Sequence, residues 1–232
     1  MPNAGAVTQL KRGRAACANM RLHATMDIAP PRDDPHPRGA AGSARLFIAL
    51  WPPPALAAAL HARGAPARVQ APGRREAVGR LHLTLHFLGT VPRERLPVLK
   101  EALCLPFRPF ELRFDAFTRW PSGVVVAEPL SQPPGLHALH AALASALAVL
   151  GQGTDARAFR PHVTLARRHA GPWPAAPAAA APLRWCVRRY RLVESLPGPP
   201  VQYRVLLICS ACAAASMPGL RTAGRADAGQ TG

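Results

Sequence analysis

A chain of 232 residues, 49% of them hydrophobic, is long enough to bury a core without help from disulfides. No apolar run reaches the roughly 18 residues that a membrane span needs, and five scattered cysteines (Cys17, Cys104, Cys186, Cys209 and Cys212) argue against a disulfide framework and for a reducing cytoplasm. The formal net charge is +17, carried almost wholly by arginine because only Lys11 and Lys100 are lysine; this suits a polyanionic partner, although a GC-rich genome writes the same excess of Arg, Ala, Pro and Gly.

Residues 1–43 mix Pro, Gly, Asp and Arg without a period, with "PPRDDPHPRGAAG" the clearest linker-like run, and are expected to be a disordered extension. They contain no hydrophobic region of a secretory signal, and Met20 and Met26 are alternative starts. Order is expected from "ARLFIALW", a strand, followed by the helix "PPPALAAALHARG", which has prolines at its start and Gly64 after its end. The strand "LHLTLHFLG" and the helix "VPRERLPVLKEALC" come next. "FELRFDAFTRW" and "GVVVAEPL" read as strands on either side of a Pro-Ser-Gly turn. "PPGLHALHAALASALAVLG" is the longest helix, "FRPHVTLARR" a short strand, and "LRWCVRRYRLVES" and "VQYRVLLI" the last two strands. Helices alternate with strands early, but the strands cluster late, which favours an α+β fold over a doubly wound parallel sheet. The folded domain is expected over 44–209, and 210–232 as a disordered tail that begins within the C-x-x-C pair "CSAC".

The chemistry lies in a repeat. "HLTL" at His82–Leu85 returns as "HVTL" at His162–Leu165, each in a short strand. A strand has a side-chain period of two, so His and Thr share one face while the aliphatic residues share the other. A single H-x-T-L is ordinary on a half-exposed strand; two copies in the same setting point to two half-sites facing one another. Two imidazoles beside a phosphodiester act as acid and base in one turnover. Two threonine hydroxyls donate to the non-bridging oxygens as charge builds on phosphorus. His82, Thr84, His162 and Thr164 are therefore the expected working set for in-line displacement at phosphorus, with no metal or cofactor; the two motifs are too alike for their residues to say which histidine is the acid.

The other candidates are weaker. His137 and His140 sit three apart on the long helix without a visible third ligand, and the sequence pattern names no partner for His61 or His169. Trp51, Trp120, Trp173 and Trp185 read as packing residues, one of which is free to stack a base. "CSAC" has zinc-like spacing but no second pair.

Both motifs in register, with "HLTLHFLG" in one half and "RPHVTLARR" in the other, resemble the two-histidine phosphoesterase superfamily, and within it the bacterial RNA 2',3'-cyclic phosphodiesterases, or 2'-5' RNA ligases, of the LigT-like family. "ARLFIALWPPPAL" resembles that family's first strand and helix, and "RRYRLVESLPGPPVQYRVL" its last hairpin, so the resemblance covers about residues 44–207. It implies a bilobal α+β fold: two antiparallel-rich sheets with outer helices, related by a pseudo-twofold around a central groove. It implies hydrolysis of a terminal 2',3'-cyclic phosphate to a 2'-phosphomonoester, with reverse 2'-5' ligation as a further activity. His82 falls on the proton donor, His162 on the proton acceptor, Thr84 and Thr164 on the phosphate-binding threonines, and Arg167 on an arginine that contacts phosphate or ribose. Strict alternation turns Arg167 away from Thr164, so a twist or strand end is needed to bring it back. His86, which shares a face with His82 by alternation, and Arg160 are candidate groove-lining residues. The implied partner is RNA with a 2',3'-cyclic phosphate end, tRNA fragments among them, or a small cyclic nucleotide, bound by a cytoplasmic monomer. The alternatives are a non-catalytic module holding a nucleotide or RNA end in the same groove, and a zinc protein built on Cys209 and Cys212.

Overall fold

The computed structural model describes residues 42–64, 74–155, 157–169 and 181–212; the expected extension up to residue 41, the expected tail beyond 212, and Trp173 lie outside them. In chain order the elements are β1 (Ser43–Leu50), α1 (Pro54–Arg63), β2 (Arg74–Arg75), β3 (Leu83–Pro92), α2 (Leu96–Ala102), β4 (Phe110–Arg119), β5 (Val125–Pro129), α3 (Pro134–Val149), β6 (Val163–Arg167), β7 (Leu183–Val187), β8 (Arg189–Leu196) and β9 (Gln202–Ser210). Among the described residues no helix is long and apolar enough to cross a membrane.

The strands form one sheet in the order β7-β4-β5-β6-β3-β1-β8-β9, with β2 added on β6. Every pairing is antiparallel. The two expected sheets are thus the halves of one sheet, four strands on each side of a seam between β3 and β6. That seam is a single bridge, Leu83 opposite Val163. "LRWCVRRYRLVES" is two strands rather than one. It breaks at Arg188, so that β7 pairs with β4 in one half and β8 with β1 in the other. β9 runs to Ser210, and the amides of Ala211 and Cys212 donate to Arg188 O at 2.8 Å and Phe107 O at 3.0 Å. Order therefore passes the expected boundary at 209. Cys209 is buried in the core rather than in a tail.

All three helices pack on one face of the sheet. Ala57 and Leu60 of α1, Leu99 of α2, and Leu136, Leu139, Leu143 and Leu147 of α3 share a single core with Leu46, Ile48, Leu83, Val163 and Leu192 of the strands. The leucines of α3 fall at helical spacing, which lays one stripe on the sheet. A glycine is required at the end of α1: a Cβ on Gly64 would lie 2.1 Å from Leu165 Cδ1, so only Gly lets the helix end close on β6. Among the described residues no helix covers the opposite face. It carries a small cluster of Phe47, Ala49 and Val193, with Trp51 and Tyr203 against it.

Three β-bulges decide which side chains reach that face, one of them late in β3, where Phe47 opposes Phe87 but Leu46 opposes Gly89 and Leu88 is the extra residue. In β3, Ala49 opposes Thr84 but Ile48 opposes His86, leaving Leu85 as the extra residue. In β6, Val126 opposes Thr164 but Val125 opposes Ala166, leaving Leu165 as the extra residue. The same position of each H-x-T-L motif is bulged, and each bulge reverses the alternation beyond it.

Candidate active site

His82 and His162 directly precede β3 and β6, so the Leu83–Val163 bridge brings the two motifs together. Continuing that antiparallel register by one residue in each direction sets His82 opposite Thr164 and Thr84 opposite His162. All four side chains then share the uncovered face, while Leu83 and Val163 point into the core. The repeat is longer than H-x-T-L. It is R-x-H-x-T-L, because Arg80 and Arg160 stand two residues before the histidines.

Each of those arginines offers its backbone oxygen to its histidine. His82 Nδ1 lies 2.7 Å from Arg80 O, and His162 Nδ1 lies 2.7 Å from Arg160 O. A carbonyl only accepts, so both Nδ1 atoms carry the proton, which leaves Nε2 of each ring as the nitrogen able to take one up. Each arginine also meets a glutamate: Arg80 pairs with Glu76, and Arg160 Nε donates to Glu128 at 2.8 Å.

Aromatic rings flank both histidines. Trp51 stacks on His82 with centroids 5.0 Å apart, Phe47 lies at 5.0 Å and Tyr203 meets it edge-on at 5.4 Å. Trp120 lies 4.6 Å from His162, with the Arg160 guanidinium 4.4 Å from the Trp120 ring. Burial in this enclosure pushes His82 down to about 4 against the opposing pull of the Arg80 carbonyl, and the positive charges of Arg167 and His162 add to the shift. His162 is also lowered, mainly by burial, again with the Arg160 carbonyl opposing.

Arg167 reaches the same face. The bulge at Leu165 supplies the reversal that strict alternation lacks, so Ala166 turns to the core and Arg167 to the side of Thr164. Its Nε donates to Glu76 Oε1 at 3.1 Å, and its charge acts on both histidines. Glu76 is buried between Arg80 and Arg167. Burial alone would raise its carboxyl, but the two guanidiniums outweigh that and hold it below the usual carboxylate range. Its amide donates to the oxygen of Leu165, the bulge residue, at 2.9 Å.

His86 does not line this face. The bulge at Leu85 turns it to the helix side, where it is buried, hydrogen-bonds His140 O on α3 at 2.8 Å and stacks on the His140 ring at 4.1 Å. The expectation from alternation is corrected accordingly. Among the described residues no group of three His, Cys, Asp or Glu side chains is arranged to hold a metal ion.

Sequence reasoning did not single out Glu76, or Trp51 and Trp120 as neighbours of the histidines. A signal for the tryptophans exists: Trp-Pro follows both β1 and β4, at 51–52 and 120–121, although a third copy at 173–174 dilutes it. Glu76 carries no comparable pattern.

Known proteins resemble the chain in sequence and fold. The family model of the 2'-5' RNA ligase superfamily matches residues 52–198. An RNA 2',3'-cyclic phosphodiesterase of Thermus thermophilus is 35% identical over 163 residues, 65% of this chain and 81% of that protein. The crystal structure of E. coli LigT complexed with 3'-AMP superposes with a TM-score of 0.63 at 28% identity, covering 73% of this chain and 98% of that one. The structure of TT0787 from T. thermophilus does so with a TM-score of 0.60 at 30% identity, covering 72% and 97%.

Proposed function

The chain belongs to the 2'-5' RNA ligase superfamily, and we propose that it is an RNA 2',3'-cyclic phosphodiesterase that opens a terminal 2',3'-cyclic phosphate to a 2'-phosphomonoester. The observation that carries this reading is the paired half-site: two histidines with Nδ1 held by a carbonyl and Nε2 turned to the task, each opposite the other motif's threonine. The relative from T. thermophilus bears the name of this activity.

His162 Nε2 takes a proton from water, the oxygen attacks phosphorus, and the P–O3' bond breaks opposite it. His82 Nε2–H protonates O3' as it leaves. Thr84, Thr164 and Arg167 donate to the non-bridging oxygens and balance the charge that grows there. With an RNA 5'-hydroxyl in place of water, the same displacement forms P–O5', breaks P–O3' and leaves a 2'-5' linkage, the hydroxyl proton going to His162 Nε2 and the His82 proton to O3'. The donor and acceptor roles follow the family resemblance, since the two histidines are held alike.

The test is an oligoribonucleotide ending in 2',3'-cyclic phosphate, incubated with the protein and a chelator, with the products separated. A 2'-phosphate product is expected; a 3'-phosphate product would refute the assigned leaving group, and tight binding without turnover would establish a non-catalytic module instead.

The pH profile is a second expected result. Both histidines are lowered in the free protein. The kcat/KM profile needs one of them protonated and the other neutral, so it falls on the alkaline side as the last proton leaves and on the acid side as both become charged. The bell is therefore displaced below the ordinary histidine value of about 6.5. A maximum at or above pH 7 would contradict the burial of both rings.

A further inference from the structure

Beyond the four motif residues the uncovered face continues along the β1–β3 ladder, and its side chains form a line. From His82 and Trp51 the register passes Thr84 with Ala49, then Phe87 with Phe47, then Thr90 with Arg45, and ends at Ser43. Six residues of strand separate Thr84 from Thr90, about 20 Å at the usual rise. That is several times the size of the cyclic phosphate and reaches well past the terminal nucleotide.

The chemistry along the line is that of a nucleic-acid track. Phe87 is 36% exposed, unusual for a phenylalanine in the middle of a sheet. The bulge at Leu85 put it on this face; strict alternation in "LHLTLHFLG" would have buried it with the leucines. The Arg45 guanidinium lies 4.8 Å from the Phe87 ring centroid. A guanidinium plane on an aromatic ring presents a second flat surface on which a nucleobase stacks, while its N–H edge meets phosphate. Past Arg45 the line opens into a cleft of about 140 Å³, lined by Ser43, Arg45, Thr90, Arg93 and Ser195 among others. Glu194 also lines the cleft, where it pairs with Arg93.

We propose that the uncovered face of the β1–β3 ladder, from Phe87 and Arg45 to the cleft at Ser43 and Thr90, binds the nucleotides on the 5' side of the cyclic phosphate. The Phe87–Arg45 pair takes the base and phosphate of the penultimate nucleotide. The occupant is single-stranded RNA, argued from charge complementarity and from continuity with the candidate active site. The inference rests on the function proposed above and adds a direction: the strand leaves the site over the first half of the sheet, and substrates of two or more nucleotides are preferred.

The experiment compares a nucleoside 2',3'-cyclic monophosphate with a dinucleotide ending in the same cyclic nucleotide. The dinucleotide is expected to show a kcat/KM roughly tenfold higher, the scale of one stacked base. Phe87→Leu, which keeps apolar volume without a π-face, and Arg45→Gln are each expected to remove most of that advantage, while Phe87→Tyr retains it. Equal turnover of the two substrates by the unmodified protein overturns the proposal, as does an advantage that survives both substitutions. If neither substrate is turned over, it is the proposed function that fails, and the ladder is then judged by equilibrium binding of the same dinucleotide: weaker binding by Phe87→Leu and Arg45→Gln supports it, and unchanged binding overturns it.

Discussion

His162→Ala is expected to lower kcat/KM on a cyclic-phosphate oligoribonucleotide by about 10²- to 10⁴-fold, and His82→Ala by a similar factor. Each substitution removes the only Nε2 of its half-site, and no neighbouring group replaces it. Trp51 and Trp120 stack but do not shuttle protons, and the threonine hydroxyls are far too weakly basic at neutral pH. The double variant is expected to fall little further than either single one, because acid and base act in the same step. Among the described residues the His162 side chain hydrogen-bonds Arg160 O, a contact within its own strand segment, so the fold is expected to survive its loss. Circular dichroism and thermal melting check this, and turnover is measured with chelator present. Wild-type rates in either variant would remove that histidine from the mechanism.

Glu76→Ala is the second large effect, and it acts on stability as well as rate. The carboxylate lies between Arg80, which it meets as a close ion pair, and Arg167, at 3.1 Å. Removing it leaves two guanidiniums facing a buried space without their counter-charge. Breaking such a pair costs about 3 kcal/mol, which for a chain of this size lowers Tm by roughly 10 °C. Arg80 also supplies the oxygen that orients His82, and Arg167 stands on the face of the proposed phosphate site, so kcat/KM is expected to fall about 10- to 10²-fold even at temperatures where the variant is fully folded. Glu76→Gln keeps the shape and one acceptor and is expected to fall between the two. The sign of the pH effect follows from the depressed carboxyl. Its stabilisation is complete above the ordinary carboxylate range and is lost as the pH falls through that range and below it. The acid limb of a stability–pH curve is therefore expected to be shallower in Glu76→Gln than in the native chain; parallel curves would show that the ion pair carries little of the folding energy.

The spacing of the two H-x-T-L motifs made the half-sites legible in the sequence, because side-chain alternation holds over the three residues from His to Thr. One residue later it fails. A β-bulge inserts a residue without any signature in composition, and Leu85 looks no different from any other strand leucine. That single irregularity turns His86 from the open face to α3, and its counterpart at Leu165 turns Arg167 the other way, onto the open face. The break at Arg188 was hidden for a related reason. "WCVRRYRLV" has no glycine or proline, and its strand propensity is continuous, so only pairing with two different partners separates β7 from β8. Glu76 lies between two-residue β2 and a short turn, where local pattern carries little information and a long-range partner such as Arg167 decides the role. The helices, by contrast, were bounded by Pro54, Pro134 and the glycines after them, which act locally.

The break at Arg188 also bears on how the molecule is assembled. Apart from the two-residue β2 on β6, the second half of the sheet comes from one stretch of chain, β4 to β7, whereas the first is built from β1 and β3 together with β8 and β9. The second half is thus an insertion, and its two ends are neighbours: Phe110, where it begins, pairs with Val187, where it finishes. The Cys212 amide closes on Phe107 and the Ala211 amide on Arg188, at the same doorway. A segment whose entrance and exit touch can be replaced as one piece, provided the replacement keeps the contacts that reach into it from the frame, the β2 pairing with β6 and the Glu76–Arg167 ion pair among them. The second half-site is then exchangeable as a cassette, and a chimera that borrows 107–188 from a relative inherits one histidine, one threonine and one arginine as a unit while keeping the first half's β1–β3 ladder as its own.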